Sequence, residues 1–297
     1  MESSFRSRHA CPACESTRYA VKISKPFTDP QLSGFIQKYY GGNIPLKLLE
    51  KETFEIAECP CGFVWQTNVL NEAGMGLFYG DWIDPDASLN KRKFANVDYY
   101  LNLAKNLARF KAGLMSASSL KSFDFGMGWG HWAIMALAFG FDSYGSEISR
   151  DRIDYARRRG VKIIDEVASI EPGTFHLINA DQVMEHIPDP QKSLNDLSRI
   201  LATGGILHVA VPNGSKEIAS INKGVWKPAK GATQPLEHIN TYTPKSLVQM
   251  ANRAGLKLKK NWPDRMLLTD RQYHIDLNFL PLDLYLGFAG TGLCFTK

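Results

Sequence analysis

The chain has 297 residues, of which 44% are hydrophobic and 22% charged, and its formal net charge is +5. This length accommodates one large domain and a small one, and the composition is ordinary for a globular protein. No apolar run approaches the ~20 residues of a membrane span, and the first residues lack the apolar core of a signal peptide. We therefore expect a cytoplasmic protein. The mild positive charge favours a small-molecule substrate over nucleic acid, and it is compatible with an anionic substrate. The sequence leaves the oligomeric state open.

Four of the five cysteines form two close pairs near the beginning of the chain. Cys11 and Cys14 are separated by two residues, Cys59 and Cys61 by one, and Cys294 stands alone. In a cytoplasmic protein such pairs indicate zinc or redox chemistry rather than structural disulfides. Four thiolates would close a tetrahedral structural site for Zn²⁺.

Residues 1–67 are predicted to form a small zinc-ribbon-like module around these pairs. Its strand-like segments are 18–23, 53–57 and 63–67, and an insert punctuated by Pro and Gly follows the first of them at 26–45. Because the second pair has only one intervening residue, two alternatives stay open. His9 could replace one cysteine, or the thiols could be free and buried.

Residues 68–95 are predicted to be a connector, with the aromatic stretch 78–82 as a lid over a substrate pocket. The alternative is that these aromatic residues pack the neighbouring modules. From 96 to 111 the apolar residues recur at helical spacing, which predicts a helix.

The pattern from residue 121 onwards is that of an α/β domain, since strands and helices alternate regularly. The predicted strands are 122–125, 141–146, 161–164, 175–180, 206–211, 256–262 and 293–296, and the predicted helices are 130–139, 149–159, 190–200 and 243–254. A long insert, 263–290, precedes the last strand.

A glycine-rich turn lies between the first strand and its helix. It reads Asp-x-Gly-x-Gly-x-Gly, from Asp124 to Gly130. A turn of this kind brings backbone close to a nucleotide-like ligand. The dinucleotide fingerprint Gly-x-Gly-x-x-Gly would need glycine at the position of His131. The turn instead resembles motif I of the class I S-adenosylmethionine (SAM) methyltransferases.

Later segments resemble the same family in the same order. Glu147 ends the second strand, 181–190 resembles the strand-four motif, and Gly204-Gly205 precedes the fifth strand. The stretch 237–247 resembles a segment of small-molecule methyltransferases of the ubiquinone-pathway and sugar type. The resemblance covers residues 96–297. It implies a Rossmann-like fold with a seven-stranded, mostly parallel sheet and an antiparallel last strand.

The resemblance also implies a SAM site at the carboxyl edge of this sheet. Asp124 would receive the ammonium group and Glu147 the ribose hydroxyls, and Asp165 would lie near the adenine. The remaining predicted cofactor-binding residues are Gly126, Met127, Gly128, Gly130, Asp181 and Gln182.

A general base is needed only if the methyl acceptor must lose a proton. The candidates are His238, His186 and Tyr242. Related quinone-pathway enzymes use a Glu-x-x-Glu-His metal site, but Gln182 occupies its first position here, so catalytic magnesium is not expected.

These features predict SAM-dependent methyl transfer to a small molecule such as a sugar, a nucleotide-sugar or another hydroxylated metabolite. Two other classes stay open at this point. One is an NAD(P)-binding oxidoreductase or epimerase, and the other is a non-catalytic interaction protein that has kept the SAM fold.

Overall fold

The computed structural model describes residues 4–82, 89–90, 97–114, 119–260 and 292–297. The chain divides into two compact units. The first unit consists of Met1–Pro85, Met184–Gln191 and Val211–Met250, and the second of Asp86–Val183, Lys192–Ala210 and Ala251–Lys297. The domain boundaries expected from sequence, at 67 and 95, stay a prediction.

The strands are numbered along the chain. They are β1 (Phe5–Ser7), β2 (Ala20–Pro26), β3 (Thr53–Glu58), β4 (Val64–Gln66), β5 (Asn68–Leu70), β6 (Lys121–Phe125), β7 (Asp142–Ser146), β8 (Lys162–Ile163), β9 (Phe175–Asp181), β10 (Leu201–Ala210), β11 (Asn240–Thr241), β12 (Lys257–Leu258) and β13 (Gly292–Thr296). The α-helices are Pro30–Tyr39, Glu72–Leu77, Val97–Ala112, His131–Ala138, Arg150–Arg157, Pro190–Ile200, Ser215–Asn222 and Pro244–Arg253, and Phe78–Trp82 forms a π-helical turn.

The second unit is built on a seven-stranded sheet in the order β12-β13-β10-β9-β6-β7-β8. Strands β6 to β10 pair in parallel, whereas β13 runs antiparallel to both β10 and β12. This confirms the predicted Rossmann-like fold with its antiparallel last strand. The predicted insert 263–290 lies outside the described residues.

The central strands of this sheet are apolar because both faces are covered, as is usual for parallel sheets. In β9, Leu177 and Ile178 have no solvent exposure, and Ile206 of β10 has none either. Leu177 and Ile206 belong to a core that also includes Phe110 and Trp132 from two helices of this unit. The sheet thus holds the turns at its carboxyl edge on a rigid support.

The first unit has its own sheet, in the order β11-β4-β3-β2, and a separate β1–β5 pair. Helix Pro30–Tyr39 lies within the insert punctuated by Pro and Gly, for which no helix was predicted. It begins with Pro30 in its first turn, and the Asp29 carboxylate accepts hydrogen bonds from the backbone N–H groups of Gln31 and Leu32. Such capping and an N-terminal proline define a helix start.

The aromatic residues predicted as a lid lie in the core of the first unit. Phe78 is 1% exposed and Trp82 is 4% exposed, and both pack in the same cluster as Leu32 and Ile36. Their role as a lid stays a prediction. Within the described parts of the chain, no helix combines the length and apolar character needed to span a membrane.

Candidate functional site

The glycine turn after β6 uses backbone conformations that favour glycine. The φ angles of Gly126, Gly128 and Gly130 are 69°, 54° and 72°. A Cβ at Gly126 would lie 2.7 Å from Val183 Cγ2, and a Cβ at Gly130 would lie 2.8 Å from Ala156 Cβ. Two of the three glycines are therefore required by close packing as well as by conformation.

Gly128 differs, because a Cβ there would meet no atom within 4 Å. The space beside its backbone is therefore open to a ligand. Next to it, the Met127 backbone N–H donates to the Ser146 carbonyl at 2.9 Å, and a Cβ on Gly145 would overlap the Met127 side chain. Met127 thus packs the turn against β7.

Glu147 follows β7 and is tied to the glycine turn. Its Oε2 accepts the Gly128 N–H at 2.9 Å, and its Oε1 accepts the N–H groups of Ile148 at 2.9 Å and Ser149 at 3.0 Å. The carboxylate is therefore fixed in orientation, with its side chain 8% exposed. Each carboxylate oxygen has two lone pairs, so Oε2, which accepts only one N–H, can accept a further hydrogen bond from a ribose hydroxyl.

Asp124 lies at the end of a row of buried polar side chains across three strands. The Asn179 Nδ2 amide donates to Asp124 Oδ1 at 2.8 Å, and the His208 Nδ1 lies 2.8 Å from Asn179 Oδ1. Because the Asn179 amide nitrogen faces Asp124, its oxygen accepts the proton of His208 Nδ1. Sequence reasoning missed Asn179 and His208. The signal that could have found them is a polar residue inside each of two otherwise apolar strands.

Burial raises the pKa of Asp124 to about 7, against the lowering effect of the Asn179 hydrogen bond. The charges of Asp181 and Glu147 raise it further. Burial also lowers the pKa of His208, which is therefore a neutral imidazole near pH 7. A cation bound beside Asp124 would favour its ionised form.

The other predicted cofactor residues lie at the carboxyl ends of strands. Asp165 is exposed just after β8, and Asp181 is the exposed last residue of β9. Gln182 has a φ of 56°, and its backbone N–H donates to the Ala210 carbonyl at 2.8 Å. A non-glycine residue in this conformation is uncommon and marks a constrained turn.

In the first unit, the structure brings together His186 and His238, which sequence analysis named as candidate bases. Their ring centroids are 4.9 Å apart. One ligand atom from each of them and one from Glu185 lie within 4.8 Å of one another. These three side chains could hold a metal ion.

Both imidazoles are electrically neutral near pH 7. Burial, together with the neighbouring His238, lowers the pKa of His186 to about 3, and burial likewise lowers that of His238. Tyr242, the third candidate base, is fully buried, and its phenol donates to the Met184 carbonyl at 3.2 Å. Burial raises the pKa of Tyr242 well above its ordinary value, and a role of Tyr242 as a base stays a prediction.

The four clustered cysteines also meet in the first unit. The sulfur atoms of Cys11 and Cys61 are 3.8 Å apart, and those of Cys14 and Cys59 are 3.6 Å apart. A tetrahedral zinc ion with Zn–S bonds of about 2.3 Å separates its sulfur ligands by about 3.8 Å. All four sulfur atoms lie within 4.8 Å of one another, so His9 is not needed to complete the set.

A seven-stranded Rossmann-like sheet with this glycine turn after its first central strand is the architecture of class I SAM-dependent methyltransferases. The family model described as "Methyltransferase domain" matches residues 95–261, more than half of the chain, and the chain belongs to this family.

A ubiquinone biosynthesis O-methyltransferase of Methylococcus capsulatus is 24% identical over 144 residues. The match covers 45% of this chain and 57% of that protein, so the chain spans little more than half the length of this relative.

Solved structures of SAM-dependent methyltransferases are similar to this chain. A TehB-like enzyme from Corynebacterium glutamicum is 19% identical, with 72% of this chain and 100% of that chain covered and a TM-score of 0.44. One from Archaeoglobus fulgidus is 14% identical, with 71% and 99% covered and a TM-score of 0.43.

Proposed function

We propose that the protein transfers a methyl group from SAM to a hydroxylated small molecule, such as a sugar or a nucleotide-sugar. The observation that carries this proposal is the turn from Asp124 to Gly130 with Glu147 bonded to its middle glycine. The space beside the Gly128 backbone is open. The Asp124 carboxylate lies at the start of the turn, and the Glu147 carboxylate comes later in the chain, after β7. SAM has an ammonium, a ribose diol and a positive sulfonium, and these residue types suit the first two groups.

When bound, SAM supplies an electrophilic methyl group on sulfur. Transfer to an acceptor hydroxyl would form an O–C bond, break the S–C bond of SAM and release S-adenosylhomocysteine, and a group of this chain or solvent would have to take up the hydroxyl proton. Within this chain, Glu147 binds the ribose hydroxyls and Asp124 binds the ammonium. Met127, Gly126 and Gly130 set the shape of the turn. Asp165, Asp181 and Gln182 are proposed to line the adenine and methionine parts of the site.

The proposed role of His238 and His186 is to assist loss of the acceptor proton. What supports it is the chemistry of the pair. Both rings are neutral, and each has its Nδ1 bonded to a backbone carbonyl, which leaves Nε2 with its lone pair.

The Cys11, Cys14, Cys59 and Cys61 set is proposed to hold a structural Zn²⁺. The support is the near-tetrahedral spacing of the sulfur atoms in a unit whose sheet is small. A structural zinc contributes directly to folding, which small modules commonly require.

Calorimetric titration with S-adenosylhomocysteine tests the cofactor half of the proposal. We expect binding, and we expect Glu147→Ala to weaken it by roughly tenfold through loss of a charged hydrogen bond. Glu171→Ala removes an exposed carboxylate of the same unit and should leave the affinity unchanged. Failure of both SAM and its product to bind, or preferential binding of NAD, would refute the proposal.

The transfer itself is tested with methyl-labelled SAM and a panel of sugars, nucleotide-sugars and phenols. Label in at least one hydroxylated acceptor supports the substrate class. Label only in protein or nucleic acid added as alternatives would contradict it.

A further inference from the structure

The cluster of Glu185, His186 and His238 has the composition of a metal site that keeps open positions. The distance from His186 Nε2 to Glu185 Oε1 is 3.8 Å, and the two imidazole rings meet edge to face. In a tetrahedral site with metal–ligand bonds of about 2.0–2.1 Å, nitrogen and oxygen ligands lie about 3.3 Å apart. If His186 Nε2 and Glu185 Oε1 moved about half an ångström closer together, both atoms could bind the same metal ion.

The hydrogen bonds of the two histidines fix which nitrogen is available. His186 Nδ1 is 2.9 Å from the Glu237 carbonyl, and His238 Nδ1 is 2.5 Å from the Gly231 carbonyl. A carbonyl oxygen can only accept, so both Nδ1 atoms carry the proton and both Nε2 atoms carry the lone pair. Metal-binding histidines ordinarily donate their other N–H to a carbonyl or carboxylate in this way.

The backbone that carries the three side chains is held by Asn240. Its backbone N–H donates to the Glu185 carbonyl at 3.1 Å, and its side-chain amide donates to the carbonyls of Met184 at 3.1 Å and Ile187 at 2.6 Å. These bonds connect the segment of Glu185 and His186 with the segment of His238. The backbone beneath the ligand set is therefore prearranged by the hydrogen bonds of Asn240.

We propose that Glu185, His186 and His238 bind one divalent ion of zinc or a first-row transition metal through the carboxylate and the two Nε2 atoms. Two imidazoles and one carboxylate suit these metals, whereas magnesium prefers oxygen ligands. Three protein ligands leave coordination open for an exogenous oxygen, as in catalytic zinc sites. Glu185 is 1% exposed, so its carboxylate is shielded from solvent.

Only the use of the ion rests on the proposed function. A hydroxyl group bound to the ion would lose its proton more readily, because the metal stabilises the oxygen anion. The two histidines would then assist proton loss as ligands, and the proton would pass to solvent or buffer. Binding of the ion itself requires no methyl transfer.

The test is a metal count on the full chain. The protein is stripped of metal under reducing conditions, reconstituted with Zn²⁺ and dialysed. The number of zinc ions per chain is then measured by elemental mass spectrometry. Wild type should hold one ion more per chain than His238→Ala. Glu185→Gln, which keeps the size of the side chain, should also lose that ion or bind it at least tenfold more weakly. His9→Ala removes an exposed histidine of the same unit and should match wild type.

Reconstitution with Co²⁺ separates this site from the cysteines, because only cobalt bound to thiolates gives strong sulfur-to-metal absorption. His238→Ala should keep that absorption unchanged while losing one equivalent, which also shows that its fold is intact. Equal counts in wild type, His238→Ala and Glu185→Gln would overturn the inference. S-adenosylhomocysteine binding is measured on the same samples. If the product binds and no extra ion does, this inference fails and the proposed function stands. If the extra ion binds and S-adenosylhomocysteine does not, the proposed function fails and this inference stands.

Discussion

Arg8 is the most heavily bonded buried cation among the described residues. It is 8% exposed, and its guanidinium donates to the carbonyls of Gln66 at 2.7 and 3.0 Å and of Ile239 at 2.7 Å. It also donates to the Pro188 carbonyl at 3.1 Å and to Asn240 Oδ1 at 2.9 Å. Burial lowers its pKa to about 9, which leaves it charged near pH 7. One side chain thus positions the segments that carry His186 and His238.

Arg8→Met is expected to lower the free energy of unfolding by about 3 kcal/mol, because several buried acceptors lose their donor. Urea denaturation followed by tryptophan fluorescence measures the change. Arg6→Met is the control, since the Arg6 side chain is 45% exposed and lies 3.9 Å from Asp189. An exposed pair of this kind contributes less than about 1 kcal/mol. Equal effects of the two substitutions would contradict the role given to Arg8.

The ionised form of Asp124 is expected to lower the stability of the fold and to support binding of the SAM ammonium group. Burial raises its pKa from 3.8 to about 7, so the folded protein holds this proton more tightly than the unfolded chain does. Protonation therefore stabilises the fold, and that benefit disappears as the pH rises from about 4 to about 7.

Asp124→Asn should consequently be more stable than wild type at about pH 8, by up to about 4 kcal/mol, and similar to it at about pH 4. Its affinity for S-adenosylhomocysteine should fall by roughly tenfold. Thermal unfolding at the two pH values and calorimetry measure these effects, with Glu171→Gln as the exposed control. A stability difference that does not depend on pH would show that Asp124 has an ordinary pKa.

At the scale of elements, the sequence predicted the second unit well because its signals are local. Buried parallel strands appear as short apolar runs, and glycine marks the turn after β6. The same rules did not predict helix Pro30–Tyr39, because the insert 26–45 is punctuated by Pro and Gly. Proline in the first helical turn is favourable, and the burial of Leu32 and Ile36 outweighs the low helix propensity of glycine. Polar residues inside apolar strands mark Asn179 and His208 as candidates, but their contact with Asp124 could not be predicted, since it depends on the register of β6, β9 and β10.

The glycine turn allows a matched comparison at this scale. Gly128 and Gly204 have φ angles of 54° and 75°, and a Cβ at either would meet nothing within 4 Å. Each substitution by alanine should therefore cost a similar 1–2 kcal/mol or so of stability from backbone strain. Only Gly128→Ala should weaken S-adenosylhomocysteine binding, by tenfold or more, because its methyl group enters the proposed ligand space. Equal binding by both variants would place the ligand elsewhere.

At the scale of the whole molecule, the sequence did not reveal that the first unit is assembled from three separate segments. One strand of its sheet, β11, comes from a part of the chain that follows β10. In this strand Asn240 pairs with Trp65 and Thr241 pairs with Val64. No local sequence pattern predicts the pairing of β4 with β11, because a strand of two residues is too short to show a periodicity. The cysteine pairs were recognisable since their spacing is short and specific.

Loss of the proposed zinc ion should affect the first unit most, because all four of its cysteine ligands belong to that unit. Chelation, or Cys14→Ser, is expected to lower the free energy of unfolding by several kcal/mol. Limited proteolysis with mass mapping should then find the earliest cuts within residues 4–82. Cys294→Ser alters the lone cysteine of the second unit and should leave the zinc content unchanged. Wild-type protease resistance after complete chelation would contradict a structural zinc.

The distance along the chain between β4 and β11 has a consequence for biosynthesis. A ribosome that has completed β4 at Gln66 must still add 173 residues (239 − 66) to reach Ile239. Until then the edge of β4 and the Arg8 guanidinium lack the partners they have in the finished protein. Long-range contacts of this kind slow folding. The nascent amino-terminal segment therefore depends on its local contacts, the cysteine cluster among them, for most of the time that the chain is being synthesised.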